Sequence, residues 1–233
     1  MSALAWNCRG LGNPNTVQVL LDLVQLRKPM LVFLMETMID HDRIEAIMVK
    51  MKYEGLFTVA GPGHGGGLAL FWKRNNEVQI KTFSHNHIDI EITMEGVDRW
   101  RMTCFYGYPE RNRRRDSWEF LRHLSNLSTL PWVVIGDFND ILRATKKKGQ
   151  HVHPNWLING FRDALGDSGL IDLPMEGYPF TWERSKGTER WVEERLDRAY
   201  ATQEWRNMFV AASLTNLIAH TSDHSAIHLQ ISV

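Results

Sequence analysis

Cysteine is scarce, no sign of charge predominates and no apolar run is long. The two cysteines, Cys8 and Cys104, lie far apart and outside any CxxC spacing. That excludes a disulfide framework and a thiolate metal site, and suits reduced thiols in an intracellular compartment. The most apolar run, MLVFLM at 30–35, falls well short of the ~20 residues that cross a bilayer. The N-terminus, MSALAWNCRG, lacks the basic segment and long apolar stretch of an export signal, so an intracellular, unsecreted chain is expected and the sequon at Asn126 should be inert. Lys+Arg and Asp+Glu are both 27, for a net charge of zero, so attraction to a polyanion has to come from local patches. Repeats, low-complexity tracts and linker-like boundaries are missing as well, and one domain over residues 1–233 is expected.

What is present is apolar patterning, with 43% hydrophobic and 10% aromatic residues, enough for a sizeable core. ALAW (3–6) reads as a short buried strand. NPNTVQVLLDLVQLRKP reads as a helix with Asn13 as cap, Pro14 in the first turn, Val17, Leu20, Leu21 and Val24 on one face and Lys28-Pro29 as the stop. MLVFLM is the next strand, and Asp40 caps a second helix with Ile44, Ile47, Met48 and Met51 inward. LALFW, VQIKTF and HIDIEIT alternate like strands with one wet face. RMTCFYGY is a further strand, Asp116 to Leu127 an amphipathic helix, and WVVIGDFND a buried strand with a polar end. A helix near 156–166, short strands at YPFTW and WVEERLDRAY, a helical turn at TQEWRNMF and a last strand AIHLQISV complete the chain. Strands both before and between helices predict an α/β fold with two mixed, mainly antiparallel sheets packed face to face and helices outside.

Polar residues stand where these strands end. Asn7 follows ALAW, Glu36 follows MLVFLM, Asp137 follows WVVI, and Ser222-Asp223-His224 precedes AIHLQISV. If the last strand runs antiparallel to the others, one edge of the core collects them all. Any one of these acids is accounted for by a turn or a cap; the joint pattern is not. Clustered, partly buried carboxylates repel one another and call for a cation, and oxygen ligands without cysteine suit Mg²⁺, Mn²⁺ or Ca²⁺ better than zinc.

The remaining features have plainer readings. RNRRR (111–115) and KKK (146–148) are short basic clusters, ordinarily solvated loops, that gain meaning only beside a reactive site. GPGHGGG (61–67) lacks the Lys-Ser/Thr of a phosphate loop and reads as a glycine turn. His151 and His153 lack a third ligand nearby. Trp156, Trp182, Trp191 and Trp205 read as core or rim before they read as base-stacking platforms.

WNCRG at 6–10, LMET at 34–37, GGLALFW at 66–72, FYGYP at 105–109, GDFN at 136–139, FTW at 180–182, RLDR at 195–198 and SDHS at 222–225 appear in the order seen in the endonuclease/exonuclease/phosphatase superfamily. Within it, the chain most resembles the endonuclease domain of plant LINE-type (non-LTR) retrotransposons. The resemblance implies a four-layer α/β sandwich that hydrolyses DNA phosphodiesters with Mg²⁺, for which Mn²⁺ can substitute, leaving a 3′-hydroxyl and a 5′-phosphate. It implies Glu36 as main metal ligand, helped by Asn7 and Asp223. Asp137 would position or deprotonate the attacking water, Asn139 would hold that water or a phosphate oxygen, and His224, oriented by Asp197, would contact the scissile phosphate as charged donor or as base. Tyr106, Thr181 and Ser222 would add hydrogen bonds, and Arg9, Arg113, Arg114 and Arg115 are the expected substrate-binding cations. DNA is the expected partner of a monomer without membrane contact, in the nucleus if DNA is its substrate. A phosphoesterase acting on inositol phosphate, phospholipid or RNA, or an inactive nucleic-acid-binding remnant, are the other expectations. Ala226 stands where many members have proline, and no reverse transcriptase follows Val233, so a complete retroelement protein is not expected.

Overall fold

The computed structural model describes residues 1–61, 66–74 and 77–232, so most of the GPGHGGG segment lies outside the described residues. In chain order the strands and helices are β1 (Ser2–Asn7), α1 (Pro14–Arg27), β2 (Leu31–Met35), α2 (His41–Met51), β3 (Gly55–Val59), β4 (Leu68–Trp72), β5 (Val78–Ser84), β6 (His87–Met94), β7 (Val97–Tyr106), α3 (Arg114–Ser125), β8 (Trp132–Asp137), β9 (Lys147–Lys148), α4 (Asn155–Asp167), β10 (Ile171–Asp172), β11 (Met175–Glu176), β12 (Trp182–Arg184), β13 (Val192–Glu194), β14 (Asp197–Ala201), α5 (Gln203–Met208), β15 (Ser213–Leu217) and β16 (Ala226–Gln230).

Two large mixed sheets form, one in the order β11-β15-β16-β1-β2-β4-β3 and the other β10-β14-β8-β7-β6-β5; β12, β13 and β9 make a small third sheet. Among the pairs between strands, β1–β2, β7–β8 and β11–β15 are parallel and the others antiparallel. The period-2 alternation of a strand sorts the core into layers. Ala3 and Ala5 of β1 and Phe33 of β2 face Ile88, Ile90, Met102, Val133 and Ile135 of the other sheet. Leu4 and Trp6 face the opposite way, onto Leu20, Leu23 and Val24 of α1 and Ile44 and Ile47 of α2. Trp132 and Val134 of β8 face Trp118, Leu121 and Leu124 of α3 and Phe161 and Leu165 of α4. Helix, sheet, sheet, helix is the four-layer sandwich, and the unbroken WVVI run exists because β8 is covered on both faces.

Several elements differ from their sequence reading. The arginine run is not a loop: Arg111–Arg113 form a 3₁₀ turn and α3 begins at Arg114, as suits a good helix former. Lys147 and Lys148 are not a free basic loop either, because β9 pairs with β13 and the two lysines meet Glu194 at 2.6 Å and Glu193 at 3.4 Å. WVEERLDRAY divides into β13, in the small sheet, and β14, in a large one. In α1 the buried positions include Leu23 and Thr16, while Leu21 is only partly covered. Among the described residues no helix is long and apolar enough to cross a membrane.

Candidate active site

The last strand does run antiparallel to β1, and β14 antiparallel to β8. The C-terminal ends of β1, β2, β7 and β8 and the N-terminal ends of β14 and β16 therefore share one edge of the sandwich. Register then aligns the polar residues: Asn7 is opposite Met35, immediately before Glu36, and Asp137 is opposite both Tyr106 and Asp197.

Asn7 links the two large sheets. Its Nδ2 donates to Glu36 Oε1 at 2.9 Å and to Asp137 Oδ2 at 3.1 Å. Tyr106 donates its hydroxyl to Glu36 Oε1 at 2.8 Å. His224 Nδ1 lies 2.9 Å from Asp197 Oδ2, and its Nε2 faces Asp137 Oδ2 at 3.8 Å. The Asn139 backbone N–H donates to Asp137 Oδ1 at 2.9 Å, and its side-chain amide to Gly107 O at 3.0 Å. Asn7, Asp137, Asp197 and His224 are all buried, and Glu36 is partly exposed. Burying a carboxylate costs several kcal/mol; the four apolar side chains of WVVI, at about 1.5–3 kcal/mol each, more than offset that for Asp137.

The charge states of Asp137 and His224 depart from the ordinary. Burial pushes the Asp137 carboxyl up, with Asp197 adding to the effect and His224 opposing it. Burial alone would push His224 down, but the Asp197 and Asp137 carboxylates outweigh it and hold the imidazole above its usual value.

Backbone geometry aims these groups. Gly136, at φ +147°, brings β8 so close to β7 that a Cβ there would stand 1.9 Å from Phe105 O. Arg9, Glu36 and Asn139 adopt left-handed φ of 52°, 53° and 56°, a conformation sparsely populated by non-glycine residues and often found at functional positions. All three line a cleft of about 580 Å³ together with Arg114, Asp223 and His224.

Not every expected residue reaches that cleft through its polar atoms. Thr181 is buried, and its Oγ1 accepts from the backbone N–H of Leu196 and Asp197 at 3.0 and 2.9 Å. Ser222 donates to Asn7 O at 2.8 Å and accepts from His224 N at 3.1 Å. Both hydroxyls hold strand ends in place. Of the three arginines, only Arg114 lines the cleft; Arg113 packs 3.6 Å over the Tyr108 ring and bonds Asp116, and Arg115 lies 5.8 Å from the Trp156 ring. Arg9 donates to Asp223 Oδ2, which also accepts from Trp182 Nε1 at 2.9 Å. Asp140 leaves the site for Trp118 Nε1 at 2.9 Å, where burial pushes its carboxyl up to about 7.

Sequence reasoning gave no role to Arg184, which lines the cleft, nor to Trp6, whose Nε1 donates to His224 O at 3.0 Å; Lys147, weighed only as part of a basic cluster, and Trp182, read as core or rim, line the cleft too. FTW was a visible motif, but nothing in it signals a bond from Trp182 to Asp223. Trp205 sits in the core and His153 is buried.

An oxygen-preferring cation fits this donor set. Asn7 Oδ1, beside Glu36, is buried with no partner among the described residues, an acceptor open to an ion. Asp137, Asp197 and His224 also bring ligand atoms within 4.8 Å of one another. There, however, His224 already shares Nδ1 with Asp197 and is held toward its charged form, which cannot ligate.

No curated protein matches the sequence. Among solved structures, the endonuclease domain of TRAS1, a telomere-specific non-LTR retrotransposon, superposes with a TM-score of 0.70 at 14% identity, covering 100% of this chain and 98% of the other. The 3′ phosphatase NExo from Neisseria bound to product DNA hairpin gives 0.71 at 19%, covering 100% of each chain. The AP endonuclease LMAP from Leishmania major gives 0.71 at 14%, covering 100% of this chain and 87% of the other. These likenesses establish the fold. The sequence itself matches the Endonuclease/Exonuclease/phosphatase family from residue 4 to residue 224, nearly its whole length, and the chain belongs to that family.

Proposed function

We propose that the chain is a divalent-metal-dependent endonuclease that nicks DNA, leaving a 3′-hydroxyl and a 5′-phosphate, of the kind that serves LINE-type retrotransposons. The observation that carries this reading is the single Asn7 amide bridging Glu36 and Asp137, with His224 against the same Asp137 oxygen. Glu36 and Asn7 Oδ1 would hold Mg²⁺, or Mn²⁺ in its place, and the ion would supply positive charge for the phosphoryl oxygens. Asp137, its basicity raised by burial, takes a proton from the water that attacks phosphorus as the bond to the 3′-oxygen breaks, and the departing 3′-oxygen takes its proton from solvent. Asn139 steadies that water or a phosphate oxygen, and His224, kept charged by Asp197, donates to the phosphoryl group. Arg9, Arg114, Lys147 and Arg184 supply the cations along the cleft. DNA as substrate is supported by those cations and by the likeness to DNA-processing structures. A monomer acting in the nucleus accompanies this reading.

A supercoiled-plasmid assay tests it. Nicking with Mg²⁺, none with EDTA, and a loss of about 10²–10³ in rate in Asp137→Ala and in His224→Ala are expected. Release of phosphate from an inositol phosphate or a DNA 3′ end without nicking would instead make it a phosphoesterase on the same fold, and DNA binding without any cleavage an inactive remnant.

A further inference from the structure

We infer that Asp223 is not a metal ligand but the holder of Arg9, a fixed cation of the cleft, so that the site takes a single divalent ion. This rests on the metal-dependent hydrolysis proposed above. Among the described residues, Glu36, Asp137, Asp197 and Asp223 stand at this edge of the sandwich, and a fifth carboxylate, Glu194, lines the cleft but is paired with Lys147 at 2.6 Å. Asp197 is committed to His224 at 2.9 Å. Asp223 Oδ2 accepts from two donors, the guanidinium of Arg9 and the indole N–H of Trp182, so an ion on that oxygen would have to displace a charge-assisted bond. Glu36 and Asp137 are left with the Asn7 amide in common, together with the Tyr106 hydroxyl and the Asn139 N–H. Asp137 faces the His224 imidazole at 3.8 Å, so of these Glu36 is the carboxylate met by neutral donors, the Asn7 amide and the Tyr106 hydroxyl, and with Asn7 Oδ1 beside it suits one divalent ion.

The loop after β1 that carries Arg9 is bonded to the loop after β2 that carries Glu36. Cys8 N donates to Met35 O at 3.1 Å and Gly10 N to Glu36 O at 2.8 Å, on either side of Arg9 and its left-handed φ. Its side chain is 56% exposed and lines the cleft, where a guanidinium fork can meet the oxygens of a phosphate. Trp182 restrains Asp223 from the other side and pairs through a β-bridge with His224, tying the Arg9 holder to the catalytic histidine. Exposed ion pairs contribute little to stability, so position rather than folding is what Asp223 gives Arg9. Asp223 Oδ1 is buried with no partner among the described residues, and ligation through that oxygen is the alternative that the experiment has to exclude.

Mn²⁺ binding, followed by electron paramagnetic resonance and calorimetry beside steady-state nicking, decides between them. The wild type should bind one Mn²⁺, and Glu36→Gln should weaken it at least tenfold. Asp223→Asn and Arg9→Gln should keep Mn²⁺ affinity within threefold of wild type while each lowers kcat at least tenfold. The double variant should be no slower than the slower single, and Arg9→Lys should recover part of the activity. A tenfold loss of Mn²⁺ affinity in Asp223→Asn, two ions in the wild type, or an unchanged kcat in Arg9→Gln would overturn the inference and leave the nuclease reading standing. A wild type that binds no Mn²⁺ would sink that reading and the inference with it.

Discussion

Asp137 ends β8 in one large sheet, His224 stands just before β16 of the other, and the two face each other at 3.8 Å; their surroundings decide which of them carries the proton. His224 is held above its usual value only because carboxylates outweigh its burial, with Asp197 the first among them. Replacing Asp197 with Asn removes that attraction, so the imidazole loses its proton at lower pH. The alkaline limb of kcat/KM should therefore move to lower pH in Asp197→Asn, measured as a pH–rate profile. A limb that stays in place would mean that the His224 proton is not the one the reaction uses. Residue types were legible at this scale: a carboxylate after a buried strand and a histidine beside an aspartate state their chemistry in any order of reading. Direction was not. Thr181 and Ser222 carry the right hydroxyl for a phosphate, yet both spend it on nearby backbone, and Asp140, next to Asn139 in the chain and of the same residue type as Asp137, turns to Trp118.

Elements carry the site because each strand end has a local reason to stop where it does. On β8 the reason is Gly136, whose missing Cβ lets Phe105 O approach. Gly136→Ala should destabilise the protein by about 2–4 kcal/mol, from the clash and from the left-handed strain together, read as a lower midpoint in a urea melt. Helices α1 and α2 end on Lys28 and Lys52, both left-handed, at φ 47° and 60°, where glycine is the usual choice. In the same melt, Lys52→Gly should stabilise by up to about 1 kcal/mol; a loss of stability would mean that the lysine side chain holds more than its cap. Strongly patterned elements could be read in advance: β1, β2, β4, β6 and β8, and the capped helices α1 and α2, fall within a few residues of expectation. GLFTV and SLTNL, strands β3 and β15, could not. Each is a short run of ordinary composition, and β15 buries a polar residue, Asn216, that bonds Tyr178 O and Phe180 O. Pairing partners, not propensity, make them strands.

For the whole molecule, a net charge of zero means that attraction to the DNA substrate proposed above has to come from the cleft. Arg9, Arg114, Lys147 and Arg184 line it, and Arg9 and Lys147 are already paired with acids. The affinity for DNA should therefore fall with log salt at a slope no steeper than about −4, by filter binding with Ca²⁺ in place of Mg²⁺; a slope steeper than about −6 would bring in Arg113, Arg115 or other surface cations. The sequence by itself determined the layers and the inventory: runs covered on both faces, helices between them, and one polar cluster per strand end, because burial and periodicity are written locally. Only the tertiary structure decided which of those polar groups meet. The convergence of Asn7, Glu36, Asp137 and His224 depends on strand direction and register across two sheets, and whether Asp223 is free depends on Arg9 and Trp182, residues 214 and 41 positions away in the chain. Contacts between such distant segments are settled by packing the whole sandwich, and no stretch of sequence contains them.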